Sequence, residues 1–403
     1  MGMLDWLARK SASPQPRPFE EIMARLDAAQ GSISIGGQVV SNAMAMQVSA
    51  VLACVKVIAD GCATPELHVY RETEGQRREL ARNIPEYRML NRRPNEWQTS
   101  FEFRRTMTMH AALTGDALAV KVMVGNRVRE LIPVVPGSFQ IDRRSRYEVI
   151  YRCYDQFGLI GEFKADQVLH LPNWQWDAIK GLDAVRLASS AIGLSAAAER
   201  NQATLHANGG RPAGILSTDQ KMSKESVEAL RESWRQFTAS NRNGTAILDG
   251  GWKYIQLAMN GVDGQHLETR RFQVEEVCRA FGVFPIMIGH SDKTATFASA
   301  EAFFGAHRIQ TMMPWWQLWR QRLDEFVLDG RGPLFVDFDT RYMQGGSLKD
   351  RAMWARTMAE MGIYTRNELR DEDGRDPLPG LDEPLTPLNM TGAPASEPSD
   401  TPE

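Results

Sequence analysis

Two long helical patterns, separated by about 50 residues, constrain the fold of this chain most strongly. The first, DAVRLASSAIGLSAAAERNQATLHANGG, contains no proline, is rich in alanine and leucine, and ends in an Asn-Gly-Gly stop signal. It predicts one helix over Asp183–Asn208, which would be roughly 39 Å long at 1.5 Å per residue. The second, DGQHLETRRFQVEEVCRAFG, covers residues 263–282. Such a pair indicates a stalk that carries a small head.

The inserted segment has the pattern of a small α/β module. A strand, AGILST, precedes a helix, SKESVEALRESWRQFTAS, for which Ser223 is the expected N-cap and Glu225 lies in the first turn. A hairpin, GTAILDGGWKYIQLAM, follows with Asp249-Gly250-Gly251 at its turn. We therefore expect a strand, a helix and a hairpin in the head.

The chain before the stalk reads as an α+β block. Its first helix is predicted to bury one face, formed by Val48, Val51, Leu52, Val55 and Ile58, before Pro65 opens a strand. A second helix, TSFEFRRTMTMHAALTG, follows. After it the hydrophobic period changes to two, and short strands are predicted in DALAVKVMV, RELIPVV, FQID, YEVIYRCYD and QVLHLPNW.

The chain after the stalk is mainly helical. A helix capped by Thr296 or Ser299 is expected to reach Asp329, with Pro314 kinking it or restarting it at a first-turn position. The WWQLW stretch within it predicts a core or subunit-interface stripe. A strand, LFVDFDT, and two helices follow, and Thr365 and Glu368 have capping-box spacing at the start of the last helix.

Composition limits the partners and the compartment. With 43% hydrophobic residues the chain can bury a large core, and its net charge of −3 means that any DNA contact must be local or weak. The four cysteines lack CxxC spacing and no apolar run is long enough to span a membrane, which predicts synthesis in a reducing cytoplasm, no structural zinc and no membrane partner. Pro-, Ser- and Gly-rich composition predicts a loosely ordered arm at 1–40 and a disordered tail at 386–403.

Enzymatic readings of the polar loop Gly289–Ala295 are weak. Lys293-Thr294 follows Asp292 rather than glycine, and this carboxylate would repel the phosphates that a P-loop binds. A Ser291/Lys293 nucleophile pair lacks an apolar surrounding that would lower the lysine pKa. Asp337 and Asp339 share a strand face that is better explained by exposure, and the dispersed histidines form no HExxH motif. We therefore predict no catalytic residue, no metal and no cofactor.

Several blocks together resemble the phage portal proteins of the HK97 type. They are LNRRPNEWQTSFEFRRTMTMHAALTGDALA, VRELIPVVPGSFQI, GGRPAGIL, ETRRFQVEEVCRAFGVFPIMIG and MGIYTRNELRDEDGRDPLPG, which occur in the expected order within about residues 41–385. The chain departs from this family at both termini. It also carries Gly181-Leu182-Asp183-Ala184 where Gly-Leu-Ser-Pro often precedes the stem helix, which leaves the first residue of the stem open.

The resemblance implies a portal fold of the α+β class, with an α+β wing, long stem helices, a small α/β clip, a kinked long wing helix and a helical C-terminal crown. The implied boundaries are an arm at 1–40, wing at 41–182, stem helix 1 at 183–209, clip at 210–258, stem helix 2 at 259–284, tunnel loop at 285–296, wing helix and return strand at 297–344, crown at 345–385, and tail at 386–403.

The resemblance also implies a function and partners. Portal proteins form a dodecameric ring at one capsid vertex, through which the terminase large subunit drives double-stranded DNA, and they contact the major capsid protein and head-tail connector or adaptor proteins. The matching DNA-channel residues are Gly289, His290, Ser291, Asp292, Lys293, Thr294 and Ala295. The expected partner-binding residues of the clip are Lys224, Glu228, Arg231 and Arg235. Another ring-forming head-tail adaptor, or an enzyme of unrecognised chemistry, are the alternatives.

Overall fold

The structure of the chain is a computed structural model. It describes residues 33–35, 38–73, 77–125, 127–155, 158–207, 214–217, 223–229, 231–232, 253–256, 262–290, 297–328, 332–340 and 348–385. The chain divides into two compact units, Met1–Asp337 and Phe338–Glu403, which are described separately. Within the described ranges, no helix combines the length and the apolar composition that crossing a membrane requires.

The described residues of the first unit include nine helices. They are α1 (Asn42–Gln47), α2 (Ser49–Ala63), α3 (Pro85–Asn91), α4 (Ser100–Thr114), α5 (Ala184–Leu187), α6 (Ser189–Ala207), α7 (Val262–Phe281), α8 (Phe297–His307) and α9 (Met313–Phe326). A short helical stretch also occupies 224–229. The second unit contains α10 (Leu348–Glu360) and α11 (Arg366–Glu372).

The strands form several small sheets rather than one large sheet. They are β1 (Ile33–Ile35), β2 (Gln38–Val40), β3 (Glu66–Thr73), β4 (Arg77–Leu80), β5 (Asp116–Val124), β6 (Arg127–Val134), β7 (Phe139–Ser145), β8 (Glu148–Asp155), β9 (Gly158–Lys164), β10 (Val168–Pro172), β11 (Gly214–Ser217), β12 (Lys253–Gln256) and β13 (Leu334–Asp339). The strand orders are β1-β2, β10-β5-β6, β11-β12, β13-β3-β4 and β7-β8-β9.

The main core joins α2 to α6 and α7. Val51, Val55 and Ile58 of α2 pack in one buried cluster with Ile192 of α6 and Val277 of α7. The prediction for this face was wrong at Leu52, which is 46% exposed. The helix buries Cys54 and Ala59 instead, because the elements packed around α2 shift its buried face away from Leu52.

The first stalk helix begins where the sequence predicts but is not continuous. The Asp183 carboxylate accepts a hydrogen bond from the Arg186 amide at 2.9 Å and caps α5. Ala188 then leaves helical geometry (φ −90°, ψ 12°), so two helices replace the single predicted helix. The sequence contains no breaker there; the interruption occurs where Ala184, Val185 and Ala188 are buried in the main core.

The long C-terminal helix of the first unit contains a π-helical turn. α8 leads into π-helical residues Arg308–Met312, and α9 follows with Pro314 in its first turn. The predicted restart at Pro314 is confirmed. Trp316 and Trp319 are buried, and their indole N–H groups donate to the Gly61 carbonyl and the Thr108 hydroxyl, both at 3.0 Å.

The described residues of the predicted arm, 33–35 and 38–40, are more regular than their composition predicts. Ile33–Ile35 pairs antiparallel with Gln38–Val40, and Val40 is buried in the main core. The prediction of a loose arm was therefore wrong for these residues. Residues 1–32 and the predicted tail at 386–403 lie outside the described residues.

The second unit is a helical pair. The Thr365 hydroxyl accepts from the Glu368 amide at 3.1 Å, and the Glu368 carboxylate accepts from the Thr365 amide at 2.7 Å, which confirms the predicted capping box. The buried Asn367 amide group donates to the Leu378 carbonyl at 2.8 Å and fixes the segment that follows α11. Trp354 meets Tyr364 edge to face at 5.6 Å.

Candidate DNA-channel segment and partner-binding module

The end of α7 is held firmly in the core. Val277, Cys278, Phe281 and Val283 are buried in the cluster that includes α2. Gly282 adopts a left-handed conformation with φ +64°, and the Val283 amide then donates to the Cys278 carbonyl at 2.9 Å. This is a glycine-terminated helix end. It directs the chain into the predicted channel segment from a fixed point.

A short 3-10 turn, Pro285–Ile288, continues this segment. The His290 amide donates to the Pro285 carbonyl at 3.0 Å and closes the turn. Gly289 is exposed and has φ +76°, a conformation that residues with a Cβ adopt only at a cost. The backbone freedom predicted for Gly289 is therefore used to turn the chain towards residue 291.

The 3-10 turn is also attached to the long helix that follows it. The Thr311 hydroxyl donates to the Gly282 carbonyl at 2.5 Å, which joins the π-helical turn to the end of α7. The Phe284 ring lies 6.1 Å from Phe303 and 6.4 Å from His307, with the latter pair edge to face. Burial lowers the pKa of His307, so this ring is neutral at pH 7. The polar segment thus leaves from one anchored helix and returns to another.

Of the predicted channel residues, the structure describes Gly289, which is exposed, and His290, which is half-buried. Ser291, Asp292, Lys293, Thr294 and Ala295 lie outside the described residues. The geometry therefore fixes where the predicted loop begins and leaves its DNA contacts as a prediction.

The predicted partner-binding helix is exposed along its described length. The Ser226 amide donates to the Ser223 hydroxyl at 3.2 Å, so the predicted N-cap is confirmed. Lys224, Glu228 and Arg231 are exposed, and Arg231 lies 3.6 Å from Glu228. Such a solvated pair contributes little to stability, so these charges are available to a partner. Arg235 lies outside the described residues.

Two described strands lie near the ends of the predicted head. β11 and β12 pair in an antiparallel register, with Ile215 opposite Ile255. The predicted hairpin turn at Asp249-Gly250-Gly251 lies outside the described residues. Pairing of β11 and β12 brings the two ends of the predicted head together.

Sequence patterns did not indicate the hydrogen bonds that fix the start of the stalk. Asp116, at the beginning of β5, accepts from the Gly181 amide at 2.7 Å and lies 2.8 Å from His170 Nε2. The other His170 nitrogen lies 3.1 Å from the Tyr151 hydroxyl. Burial raises the pKa of Tyr151 to about 12, so the phenol keeps its proton. The three side chains hold the turn that leads into α5.

Gly115 and Gly181 make the close backbone approach that this turn requires. A Cβ on Gly181 would lie 1.7 Å from the Gly115 carbonyl oxygen, which itself accepts from the Asn173 amide at 2.7 Å. Gly115 has φ +86° and ends α4 in a left-handed cap. Both positions therefore require glycine for a physical reason, and their separation of 66 residues hides the pairing from a pattern search.

No competing chemical site emerges among the described residues. The Asp337 carboxylate accepts from Arg78 at 3.2 Å and lies 4.0 Å from Arg320. On the predicted exposed strand face, guanidinium groups therefore pair with this carboxylate. Over the same ranges, no group of His, Cys, Asp or Glu side chains has a metal-binding arrangement. All four cysteines are buried and unbridged, and burial raises the pKa of Cys62 to about 12, so this thiol is unreactive.

Comparison with known proteins identifies the family. The model of the phage portal protein family matches residues 49–374, and the chain belongs to this family of structural proteins. It is a member of the HK97 type: it is 26% identical to the portal protein of Enterobacteria phage HK97 over 355 residues, covering 86% of this chain and 83% of that protein. It is also 28% identical to the probable portal protein of Streptomyces phage phiC31, covering 89% of this chain and 82% of that protein.

Solved structures share the fold. A chain of the virion of a native gene transfer agent particle aligns with a TM-score of 0.58 at 20% identity, covering 93% of this chain and 99% of that chain. The HK97 family phage portal protein from Corynebacterium diphtheriae aligns with a TM-score of 0.57 at 16% identity, covering 77% and 98%. The predicted portal fold of the α+β class is confirmed.

Proposed function

We propose that this chain assembles with copies of itself into a dodecameric ring at one capsid vertex and that the ring is the channel for double-stranded DNA. Membership of the phage portal protein family supports the ring and its place in the virion. A related fold occurs in a structure described as the neck of a native gene transfer agent particle computed with C12 symmetry. That symmetry belongs to the other particle and motivates the number twelve for this one.

The doubly anchored segment around Gly289 is the observation that supports a channel role most directly. It leaves the buried end of α7 and returns to α8, and the Thr311–Gly282 hydrogen bond joins the end of α7 to the π-helical turn that follows α8. A loop with a rigid base can project polar side chains into a lumen without disturbing the core. We assign Gly289–Ala295 to this role.

The composition of that loop suits passage of DNA rather than retention. Each tight phosphate contact by Lys or Arg adds a counterion-release contribution to affinity, and a ring multiplies each contact by the number of its subunits. Lys293 supplies a single positive charge per loop, next to Asp292. Ser291 and Thr294 offer neutral hydrogen bonds to phosphate oxygens.

The remaining partners follow from the same assignment. We assign the wing to 41–182 and 297–344, the stem to 183–209 and 259–284, the clip to 210–258 and the crown to 345–385. The exposed charges of the clip, with Arg235, would bind the terminase large subunit during packaging and a head-tail connector afterwards. The major capsid protein would surround the ring, and the chain would be made in the cytoplasm of the bacterial host and carry out no catalysis.

Assembly is tested on the purified protein by mass photometry and negative-stain imaging, with scaffold or capsid protein added in parallel. A particle with a central hole and a mass near twelve subunits is expected. A monomer over the whole concentration range, with the capsid protein present, would refute the ring.

The channel assignment is tested in the ring by Lys293→Ala and Lys293→Glu. Neither should change folding, because the proposed role places Lys293 in solvent, where a substitution changes stability little. Both should reduce the number of DNA-filled heads in a complementation assay, and Lys293→Glu should do so more strongly because it adds repulsion of phosphate beside Asp292. Lys349→Glu is the matched control, since Lys349 is exposed and lies outside both the loop and the clip, and this variant should package DNA like the wild type. Full packaging by Lys293→Glu would remove the loop from the DNA path.

A further inference from the structure

The hairpin that joins β7 to β8 ends in a strongly basic tip. Residues 143–147, Arg-Arg-Ser-Arg-Tyr, are all exposed, and Tyr147 retains 91% of its accessible surface. Three guanidinium groups therefore lie within four residues of a chain whose net charge is −3. They belong neither to the proposed channel segment nor to the charges assigned to the clip.

The backbone of the tip contains a β-bulge and a hydrogen-bonded turn. The register shifts between Arg143, which pairs with Val149, and Ser145, which pairs with Glu148, so Arg144 is the additional residue of a β-bulge. Bulges twist a strand and redirect its side chains. The Arg143 guanidinium donates to the Arg146 carbonyl at 3.2 Å, and the Tyr147 amide donates to the Ser145 hydroxyl at 3.3 Å. These bonds close the turn on itself and leave most guanidinium donors pointing at solvent.

The acidic groups of the same sheet do not neutralise the tip. Arg152 holds both Asp142, at 2.6 Å, and Glu162, at 2.9 Å. These ion pairs raise the pKa of Arg152, with the hydrogen bond to Glu162 contributing most. Among the described residues, Arg143, Arg144 and Arg146 have no carboxylate within ion-pair distance. Glu148 is the acidic residue nearest in the ladder, so the tip keeps a net positive charge.

We propose that this tip is a second DNA contact, which binds the phosphate backbone of duplex DNA outside the channel and without sequence preference. Arginine matches phosphate with a planar fork of donors, and the Ser145 and Tyr147 hydroxyls add neutral donors. A two-stranded ribbon is also narrow enough to enter a DNA groove. The proposal rests on the proposed function, because the DNA that is packaged through the ring would be the ligand of the tip.

Nucleic acid fits this tip better than an acidic protein partner does. Protein interfaces have an apolar core surrounded by a polar rim, with aromatic and arginine anchors near the centre. The tip offers one aromatic ring and no aliphatic side chain among its five exposed residues. The strands that carry the tip pack in a different core cluster from the channel segment. Ile141, Tyr151 and Cys153 of β7 and β8 pack against β5 and β10, whereas the channel segment packs on α2.

Covalently closed circular duplex DNA separates an outer contact from the channel, because it cannot thread an assembled ring. The wild-type ring and the variant Arg143→Gln/Arg144→Gln/Arg146→Gln are titrated with a relaxed circle between 50 and 200 mM salt. We expect the variant to bind at least tenfold more weakly at low salt. The slope of log affinity against log salt should fall by up to about 2.7 per engaged tip, at about 0.9 per lost phosphate contact.

The control variant, Arg71→Gln/Arg82→Gln/Arg88→Gln, removes the same charge from exposed positions elsewhere. It should bind the circle almost as well as the wild type. Wild-type affinity of the tip variant, or an equal loss in the control, would overturn the proposal, as would a tip that binds poly-glutamate more tightly than DNA. Ring mass is measured in parallel, and a monomer is titrated with the same circle. Absence of a ring therefore counts against the proposed function, whereas the three binding outcomes named above count against the tip.

Discussion

Substitution of Gly181 by alanine should disrupt the junction between the stalk and the α+β block. The added Cβ would lie 1.7 Å from the Gly115 carbonyl oxygen, 2.5 Å from the Gly115 carbonyl carbon and 2.9 Å from the Asn173 nitrogen. Ordinary contacts begin at 3.4 Å, so the two backbone segments must separate by more than an ångström. The atoms that obstruct the Cβ are backbone atoms and cannot rotate away.

The expected cost has two sources. Overpacking of a well-packed site typically costs 1–3 kcal/mol. The separation also weakens the bonds from the Gly181 amide to Asp116 and from the Asn173 amide to the Gly115 carbonyl, both at 2.7 Å. Each such bond contributes about 1 kcal/mol, and more where a carboxylate accepts. We therefore expect Gly181→Ala to lower the free energy of unfolding by about 4 kcal/mol.

The measurement is chemical denaturation of the purified protein, followed by tryptophan fluorescence and circular dichroism. Gly305→Ala is the matched control, because Gly305 lies within α8 and nothing lies within 4 Å of its Cβ position. Alanine there should be neutral or stabilising by up to about 1 kcal/mol, through its higher helix propensity. Equal stability of Gly181→Ala and wild type would refute the close approach at Gly115.

Three further predictions concern single interactions. Trp319→Phe should lower the free energy of unfolding by about 1–3 kcal/mol, because the buried Thr108 hydroxyl loses the indole N–H that lies 3.0 Å away. A double-mutant cycle with Thr108→Val should show coupling between the two residues, and additive effects would contradict the hydrogen bond. Burial lowers the pKa of His110 to about 4, so stability should be complete above about pH 6.5 and decline as pH falls towards 4; His110→Gln should flatten this dependence, and an identical pH profile would contradict it. Thr365→Ala should cost about 1 kcal/mol through loss of the capping box, measured by thermal unfolding against Thr357→Ala, whose hydroxyl bonds to the Met353 carbonyl within its own helix; equal losses would contradict a specific role for the cap.

Elements with a strong local signal could be predicted from the sequence. β5 occupies Asp116–Val124 as its alternation indicates, and the α4 helix begins and ends at the polar and glycine residues that border its pattern. Other elements have no such signal. β4, Arg-Arg-Glu-Leu, has no hydrophobic period and forms because β3 lies beside it, so propensity alone does not reveal it.

The candidate site also combines features that the sequence predicts with features that depend on the fold. The positive φ of Gly289 could be anticipated from the residue type, whereas the hydrogen bond between Thr311 and Gly282 joins residues 29 positions apart and depends on the fold. Leu52 has the correct spacing for the buried face of α2, yet it is exposed because α6 and α7 cover the neighbouring face. Periodicity gives the width of an apolar face and does not tell which part of it the other elements cover.

The π-helical turn at Arg308–Met312 gives the helix one residue more than regular α geometry would need at this point. A π turn closes its hydrogen bonds over one more residue than an α turn does. Deletion of one residue here would remove the extra residue and leave a regular α-helix, because the five residues of the π turn cover about the same rotation as four residues of an α-helix. Trp316 and Trp319 would then keep the positions from which they reach Gly61 and Thr108. The helix should therefore accept deletion of an exposed residue of the π turn, Ile309 or Gln310, whereas a deletion near the start of α9 would rotate every later side chain by about 100° around the axis.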